Sequence, residues 1–365
     1  MFKKIVIAGT HATPALALAK ALQKKGEWQI YYLGRRYTFE GEKTPSTESQ
    51  IFPKHKIPFI SIPCGRLQRK FTRWTIPSLL KIPFSLLISL YYLIKIKPDV
   101  VCSFGGYSSV PVVISAWLLG IPSITHEQTT VIGLSNKINS WFVNKIAITF
   151  PQSIKFFPPQ KTTLTGNPIR QSIFQADCPL YNFPKKQLII YITGGSQGAQ
   201  IINQNVRKIL PQLLSQYNII HQCGYNNYQK LKKQTEKLPA ALKKNYFLVP
   251  YIDNQSIGWA LSADLVISRS GANTVLELAV LAKPAILIPI PWSAHNEQTI
   301  NGLFLSQKGS AVILPQEKLN PLSLMETIQK MTTNLDYYRK RAKRLQKQVK
   351  LNAADALVKE IYQLL

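Results

Sequence analysis

The amino-acid sequence predicts an α/β protein made of two doubly wound parallel sheets, each covered by helices. Two observations predict this class. The chain has 365 residues, about twice the length of an ordinary domain. Short apolar strands alternate with helical segments from Lys3 onward, and the alternation starts again after Arg170. We therefore predict one unit over residues 1–165, a second over 166–340 and a helical tail over 341–365.

The elements of the first unit follow one another in the expected alternation. An apolar β-branched run that ends at Gly9 predicts the first strand, and a loop and a helix follow it and close at Gly26. The next segments predict strand, helix, strand with a glycine turn, helix and strand: WQIYYLG, FSLLISLYYLIKIK, PDVVCSFGG, VPVVISAWLLG and IPSITHEQ. Because helices separate the strands, we expect a parallel sheet.

The second unit repeats this pattern. It has predicted strands at QLIIYITGG, YNIIHQCG, ADLVISRSG and PAILIPIP and predicted helices at AQIINQNVRKILPQLL and NTVLELAVLA. The last stretch predicts a basic helix from about Asn334, a break near Asn352 and a short final helix. The second half is therefore expected to form its own parallel sheet.

The composition indicates a folded protein with an anionic partner. Hydrophobic residues make up 45% of the chain, which excludes wholesale disorder. The formal net charge is +28, so nucleic acid, anionic lipid and phosphorylated substrates are candidate partners. The four cysteines form no C-x-x-C motif, which argues against a zinc ribbon or a disulfide framework and favours a reducing compartment.

A basic and apolar stretch lies between Ile51 and Pro98, where the sequence has no acidic residue. From Arg66 to Lys81, cationic and large apolar side chains are mixed, which is typical of a membrane-surface patch. From Phe84 onward we expect the segment to pack on the sheet. The longest apolar run is too short to span a bilayer and the N-terminus lacks a signal-peptide cleavage site, so we expect neither a spanning helix nor export.

The first candidate site is the turn GGSQG, residues 194–198, which follows a predicted strand and opens a helix. Backbone N–H groups at a helix start, together with the Ser196 hydroxyl, can hold a diphosphate. Alternatively, the glycines serve only the backbone of a tight turn. The turn also matches the nucleophile elbow of a serine hydrolase, because Asp264 and His295 follow Ser196 in the order which that fold requires.

Two further candidates lie in the second unit. Thr274 and Glu277 have capping-box spacing, so Glu277 either bonds a backbone N–H or accepts protons from two ribose hydroxyls. The spacing alone leaves both interpretations open. Gln298 and Asn301 share one helical face, from which two amides can reach sugar hydroxyls, although such amides are more often solvated.

Three loops of the first unit also follow predicted strands. His11 lies directly after the first strand, where a histidine can act as a general base, although a lone histidine is more often a cap or a surface residue. The other two loops are Gly105–Ser109 and His126–Thr129. Because parallel strands end at one edge of their sheet, we expect the three loops to cluster.

In this order the motifs resemble the MurG family, the bacterial undecaprenyl-pyrophosphoryl-muramoyl-pentapeptide N-acetylglucosaminyltransferases. The resemblance runs from Lys3 to about Val312 through HATPALALA, PDVVCSFGGYSSVP, GIPSITHEQ, TGNPIR, GGSQGAQIIN, HQCG, RSGANTVLE and EQTINGL. It implies a GT-B architecture, in which two Rossmann-like domains flank a cleft and a C-terminal helix returns to the first domain.

The resemblance also implies a reaction. N-acetylglucosamine would move, with inversion, from UDP-N-acetylglucosamine (UDP-GlcNAc), bound by the second domain, to the C4 hydroxyl of a lipid-linked muramoyl pentapeptide, lipid I, bound by the first. The enzyme would act in peptidoglycan synthesis, peripherally at the cytoplasmic face of the bacterial membrane. No tightly bound metal or other cofactor and no nucleic-acid partner are implied, and Arg66 to Lys81 would contact the anionic membrane.

The resemblance assigns roles to positions of this sequence. His11 is the implied catalytic base, and Glu127 is a second implied catalytic residue. The implied acceptor-binding residues are Gly106, Tyr107, Ser108 and His126. The implied donor-binding residues are Arg170 and Ser196 around the diphosphate, Ile252 at the uracil, Glu277 at the ribose with Ala272, Asn273, Thr274, Val275 and Leu276 in the adjoining loop, Gln298 and Asn301 at the sugar, and also Thr10 and Thr129.

The chain departs from the family pattern at three places. The first loop lacks two glycines of the family motif, and Thr129 and Asn273 replace the usual asparagine and leucine. The donor half is thus closer to the pattern than the acceptor half. Two alternatives to the transferase are a serine hydrolase that uses Ser196 and a non-catalytic basic protein that binds membrane or nucleic acid on a degenerate scaffold.

Overall fold

Two compact units make up the part of the chain that the computed structural model describes, residues 2–37, 45–65, 75–174, 181–184, 186–195, 198–252 and 256–365. The first unit comprises residues 1–170 and 350–365, and the second comprises residues 171–349. Both contain a parallel sheet whose strands are connected mainly by helices. This arrangement confirms the predicted fold class.

Within the described residues, the first unit has a seven-stranded sheet in the order β3-β2-β1-β4-β5-β6-β7. The strands are β1 (Lys3–Ala8), β2 (Trp28–Gly34), β3 (Phe59–Ser61), β4 (Val100–Ser103), β5 (Ser123–Glu127), β6 (Lys145–Ile148) and β7 (Thr162–Leu164). The helices are α1 (Ala12–Lys25), α2 (Thr47–Lys54), α3 (Thr75–Ile96), α4 (Ser109–Leu118) and α5 (Leu134–Phe142).

The second unit has a six-stranded sheet among the described residues, in the order β10-β9-β8-β11-β12-β13. The strands are β8 (Ile189–Thr193), β9 (Asn218–Gln222), β10 (Tyr246–Val249), β11 (Leu265–Ser268), β12 (Ala285–Leu287) and β13 (Ala311–Ile313). The helices are α6 (Gln200–Gln216), α7 (Tyr225–Thr235), α8 (Ala240–Lys243), α9 (Ile257–Leu261), α10 (Ala272–Val280), α11 (Glu297–Ser306), α12 (Pro321–Thr333) and α13 (Leu335–Gln346).

The first strand and helix form as the local sequence dictates. Ile5 and Ile7 are fully buried β-branched residues at the centre of the first sheet, where β1 pairs in parallel with β2 and β4. Helix α1 ends at Gly26, whose left-handed φ of 73° terminates the helix as predicted. β1 therefore delivers residues 9–11 to the carboxyl edge of the sheet.

The last helix, α14 (Ala353–Tyr362), packs on α1 in the first unit. Leu357 and Ile361 belong to the same apolar core as α1, and Trp28 Nε1 donates to the Tyr362 hydroxyl over 3.0 Å. This contact confirms the expected return of the C-terminal helix. Helix α13 stays in the second unit, where Arg339 forms an ion pair with Asp264, so residues 341–349 belong to that unit and not to the returning tail.

Helix α3 departs from the sequence-based expectation. Its Ser89 and Leu93 are buried, but Phe84, Leu87 and Tyr91 have 57–62% of their side-chain surface exposed. The expectation that the segment from Phe84 onward simply packs on the sheet is therefore wrong for this face of the helix. In the described part of the chain, no helix has the length and apolarity needed to cross a bilayer.

Candidate active site

The loops that follow β1 and β4 contact each other closely. The backbone N–H of Thr10 donates to the carbonyl of Gly105 over 3.1 Å. Gly106 has φ of 79°, and a side chain there would collide with the Thr10 side chain. The glycine turn therefore lets the two loops approach, and it brings the predicted residues Thr10, Gly106 and Tyr107 to one edge of the sheet.

The imidazole of His11 is held in one orientation at this edge. Its Nδ1 lies 2.7 Å from the carbonyl oxygen of Phe104, so Nδ1 carries the hydrogen and Nε2 keeps its lone pair. Gln128 Nε2 donates to the same carbonyl over 3.1 Å. The carbonyl of Phe104 thus joins the loops after β1, β4 and β5, which confirms the expected clustering of these loops.

His126 lies below this surface. It is fully buried, its Nε2 donates to the carbonyl of Gly166 over 2.8 Å, and burial lowers its pKa to about 4. A neutral ring in that position supports the loop that leads to the second unit. The structure does not bring His126 to a surface from which it can contact an acceptor, so its predicted acceptor-binding role gains no support.

The buried His126 makes stability depend on pH. Its folded-state pKa is lower than that of an unfolded histidine, so the unfolded chain binds more protons at mildly acid pH. We expect the free energy of unfolding to fall as the pH drops from 6.5 towards 4, by about 1.4 kcal/mol per pH unit from this residue. Denaturant titrations of wild type and His126→Gln at several pH values measure it, and equal slopes for both proteins would contradict the prediction.

The carboxylate of Glu127 is fully engaged in holding its own loop. Oε1 accepts from the Thr129 backbone at 3.1 Å and the Thr129 hydroxyl at 2.8 Å, and Oε2 accepts from the Gly133 backbone at 3.1 Å and Asn136 Nδ2 at 3.0 Å. Both predicted site residues, Glu127 and Thr129, are buried. This geometry favours a positioning role for Glu127 over direct proton transfer.

A network of buried polar side chains supports the turn of Gly105 and Gly106. Asn139 Nδ2 lies 3.0 Å from the hydroxyls of both Ser103 and Ser109, and Thr125 donates to Asn136 Oδ1 over 2.9 Å. Sequence reasoning missed Asn136 and Asn139, because amides on a short helix carry no recognisable signal. The predicted acceptor residue Ser108 is buried at the start of α4, and its hydroxyl has no partner among the described residues.

In the second unit, Gln222 holds the glycine turn that follows β8. Its Nε2 donates to the carbonyl of Gly195 over 3.0 Å, and its Oε1 accepts from the backbone N–H of Ile252 over 3.1 Å. Ile252 therefore has only its carbonyl left for a uracil. The predicted diphosphate ligand Ser196 lies outside the described residues.

A second chain of hydrogen bonds fixes the end of the same turn. Gly198 has φ of 74°, and a side chain there would collide with the carbonyl of Cys223. That carbonyl accepts from Asn203 Nδ2 over 2.8 Å, and Asn203 Oδ1 accepts from His221 Nε2 over 3.0 Å. Burial lowers the pKa of His221 to about 3, so the ring is neutral. Its one N–H is therefore on Nε2, which donates to Asn203 Oδ1. These hydrogen bonds fix the Cys223 carbonyl against which Gly198, at the end of the turn, packs.

The start of α10 tests the capping-box interpretation of Glu277. The helix begins at Ala272, its N-cap is Gly271, and no side chain caps it. Thr274 is already inside the helix, so the capping-box interpretation is wrong. Glu277 lies in the second turn and is buried.

The other predicted residues of α10 divide into two groups. Ala272, Asn273 and Thr274 are partly exposed in the first turn, where backbone N–H groups face outward. Val275 and Leu276 have buried side chains that pack in the unit. Only their backbones, therefore, remain for contact with a ligand.

Gln298 and Asn301 lie near the start of α11, which follows the loop after β12. Gln298 Oε1 accepts from the backbone N–H of Ile290 over 3.1 Å, and Asn301 is fully buried on the same helix. His295 and Asn296 have left-handed φ of 48° and 54°, so the loop enters α11 through a strained corner. The alternative prediction, that these amides are solvated, is wrong for Asn301 because its side chain is buried. Arg170, the other predicted donor contact, is partly buried and is the last residue of the first unit before the chain enters the second.

Topology excludes the hydrolase triad that the sequence left open. Asp264 immediately precedes β11, and its Oδ2 accepts from the backbone N–H of Ile189, the first residue of β8. Gly194 and Gly195 follow the other end of β8. A four-residue strand such as β11 is about 13 Å long, so this distance separates the two glycines from Asp264. Asp264 therefore cannot orient a histidine beside residue 196.

Comparison with known proteins identifies the family. Residues 5–148 match the N-terminal domain of glycosyltransferase family 28, and residues 189–357 match its C-terminal domain. A Clostridium perfringens protein named UDP-N-acetylglucosamine–N-acetylmuramyl-(pentapeptide) pyrophosphoryl-undecaprenol N-acetylglucosamine transferase is 36% identical over 344 residues, 92% of either chain. The chain belongs to the MurG family.

Other MurG relatives agree with this assignment. A Bacillus cereus protein of the same name, numbered 2, is 33% identical over 346 residues, which cover 92% of this chain and 94% of its own. The crystal structure of Acinetobacter baumannii MurG matches with a TM-score of 0.72 and 27% identity, over 99% of both chains. As a MurG-family member, the chain is a glycosyltransferase, and its two parallel-sheet units are the domains of a GT-B enzyme.

Proposed function

We propose that this chain transfers N-acetylglucosamine from UDP-GlcNAc to the C4 hydroxyl of undecaprenyl-pyrophosphoryl-muramoyl-pentapeptide, with inversion at the anomeric carbon. The observation that carries the proposal is the 33–36% identity, over 92% of this chain, with relatives named as N-acetylglucosamine transferases of N-acetylmuramyl-(pentapeptide) pyrophosphoryl-undecaprenol. Two contacts support it: His11 Nδ1 is hydrogen-bonded to the Phe104 carbonyl in the first unit, and Gln222 is hydrogen-bonded to Gly195 in the second. We propose that no tightly bound metal takes part.

His11 supplies the base in the proposed reaction. Because Nδ1–H donates to the Phe104 carbonyl, Nε2 is the nitrogen that takes the proton of the C4 hydroxyl. The oxygen then attacks the anomeric carbon from the face opposite UDP, the bond to the diphosphate breaks, and the proton remains on His11. The Phe104 carbonyl stabilises the resulting imidazolium because it accepts from Nδ1–H throughout.

The second unit binds the donor in this proposal. The turn after β8 leads into α6, so backbone N–H groups and the helix dipole face the diphosphate and stabilise the negative charge that develops as UDP leaves. Glu277 accepts from the ribose hydroxyls, and Gln298 and Asn301 read the sugar. Gln222 links the Gly195 carbonyl to the backbone N–H of Ile252, and so joins the diphosphate and uracil ends of the proposed site.

Helix α3 carries an exposed apolar stripe. Ile76, Leu80, Phe84, Leu87 and Tyr91 are each more than half exposed and recur every three or four residues, so they lie on one side of the helix. Residues 66–74, the basic part of the predicted patch, lie outside the described residues. We propose that this apolar stripe dips into the cytoplasmic leaflet, where the lipid-linked acceptor is found.

Loss of the stripe is expected to release the protein from membranes. Leu80→Ser, Phe84→Ser and Leu87→Ser together are expected to weaken binding to anionic vesicles on the order of a hundredfold, with unchanged affinity for UDP. Vesicle sedimentation measures the first and calorimetry the second. Leu322→Ser with Leu351→Ser, which removes equally exposed side chains elsewhere, is the control. Unchanged vesicle binding in the triple variant would reject the stripe.

Product analysis tests the stereochemistry of the proposed transfer. Purified protein is incubated with UDP-GlcNAc and a short-chain lipid I analogue, and the product is isolated. We expect one added N-acetylhexosamine by mass spectrometry and a β linkage to C4 by NMR. An α linkage or a different attachment site would overturn the proposed mechanism.

A further inference from the structure

Arg35 follows β2 directly and lies between the buried carboxylate of Glu48 and the hydroxyl of Tyr107. Its Nε donates to Glu48 Oε1 over 3.3 Å, and its Nη1 donates to the hydroxyl of Tyr107 over 3.0 Å. The centre of the guanidinium lies 5.5 Å from the centroid of the Tyr107 ring. One planar group thus joins helix α2 to the loop that follows β4.

Glu48, which binds one side of the guanidinium, is deeply buried. The Glu48 side chain has 1% of its surface exposed and the Arg35 side chain 18%. Burial raises the pKa of Glu48 above its ordinary value, although the ion pair with Arg35 opposes the rise. Because an unpaired charge is costly in such surroundings, Glu48 holds the guanidinium in place.

The other end of the link reaches the proposed acceptor site. Tyr107 follows Gly106, which packs against Thr10, and Thr10 precedes His11. Tyr32 supports the same loop because its hydroxyl donates to the Gly9 carbonyl over 2.9 Å. A change in the position of Tyr107 therefore affects a surface directly beside the proposed base.

We infer that Arg35 is a positioning residue for the acceptor, which acts through Tyr107 and is itself held by Glu48. The inference rests on the proposed transferase function. Nothing in the sequence pattern marks Arg35, since an arginine after a strand is usually solvated. Lysine cannot replace it, because a single ammonium does not offer the two N–H directions that reach Glu48 and Tyr107 together.

A double-mutant cycle tests this inference in the full-length protein. We measure kcat and KM for a short-chain lipid I analogue and KM for UDP-GlcNAc in wild type, Arg35→Lys, Tyr107→Phe and the double variant. Arg35→Lys retains a positive charge beside Glu48, so it is expected to fold and to melt close to the wild-type temperature. Lys145→Met, which removes the ion pair with Glu360 across β6 and α14, is the control and is expected to retain wild-type kinetics.

We expect Arg35→Lys and Tyr107→Phe each to raise KM for the acceptor about tenfold, with KM for the donor unchanged. The double variant is expected to lose no more than either single variant, because both remove the same hydrogen bond. Multiplicative losses, or equal changes in donor and acceptor KM, would overturn the inference.

A crystal structure of Arg35→Lys separates this inference from the proposed function. We expect the Tyr107 ring to leave its position in that variant, whether or not the protein transfers sugar. A ring that stays in place would overturn the positioning role even if the wild-type protein were an active transferase. Conversely, inactive wild-type protein with a displaced Tyr107 in the variant would refute the transferase and leave the positioning of Tyr107 by Arg35 intact.

Discussion

His11→Ala is expected to lower kcat for sugar transfer by about a thousandfold while leaving the affinity for UDP-GlcNAc unchanged. The reason is that Nδ1–H of His11 donates to the Phe104 carbonyl, so Nε2 is left as the proton acceptor beside the turn of Gly105 and Gly106. The imidazole does not cap α1, so its removal is not expected to disturb that helix. Steady-state UDP release at saturating acceptor measures kcat, and calorimetry measures donor affinity.

The control for His11 is another histidine of the same unit. His55 is the C-cap of α2, where its carbonyl accepts from Gln23 Nε2 of α1, and it is not among the residues assigned to the site, so His55→Ala is expected to retain wild-type kcat. A His11→Ala protein that folds, binds donor and transfers sugar within threefold of wild type would show that another group takes the proton.

Glu277→Gln is expected to weaken donor binding about thirtyfold. A carboxylate accepts from both ribose hydroxyls, whereas an amide offers one acceptor oxygen and no charge, so about 2 kcal/mol of interaction is lost. Because α10 begins at Ala272, Glu277 is not needed to cap the helix and the substitution is expected to leave the fold intact. Titration calorimetry with UDP measures the change.

Two comparisons make this result specific to ribose. UDP that lacks both ribose hydroxyls is expected to bind wild type and Glu277→Gln equally. Glu326→Gln, at an exposed acid of the same unit, is expected to bind UDP as wild type does. If Glu277→Gln weakened the binding of UDP and of the dideoxy compound by the same factor, the carboxylate would act on the fold of the site and not on the ribose.

The sequence predicted the sheets and the places of the candidate loops, because period-two and helical patterns and glycine positions are local properties of the chain. Ala8 to His11 illustrates this, since a buried strand, a glycine and a helix start follow directly from the residues. The MurG resemblance added the roles of single side chains, which local patterns do not contain.

The features that sequence reasoning missed depend on contacts between distant residues. Helix α3 is apolar on several sides, so its sequence does not reveal that Phe84 and Leu87 face outward. The Thr274 and Glu277 pattern failed because Gly271, in an extended conformation, starts the helix earlier. The carboxylate of Glu127, which the resemblance implies is catalytic, accepts from three donors of its own loop and from Asn136 on α5, and local patterns do not reveal these contacts.

The proposed transfer reaction is tested most directly by release of UDP from UDP-GlcNAc, measured with purified protein in the presence and absence of a lipid I analogue. We predict rapid release that requires the acceptor and that His11→Ala abolishes. Tight donor binding without acceptor-dependent release, at any acceptor concentration, would contradict the assignment of this chain as the transferase.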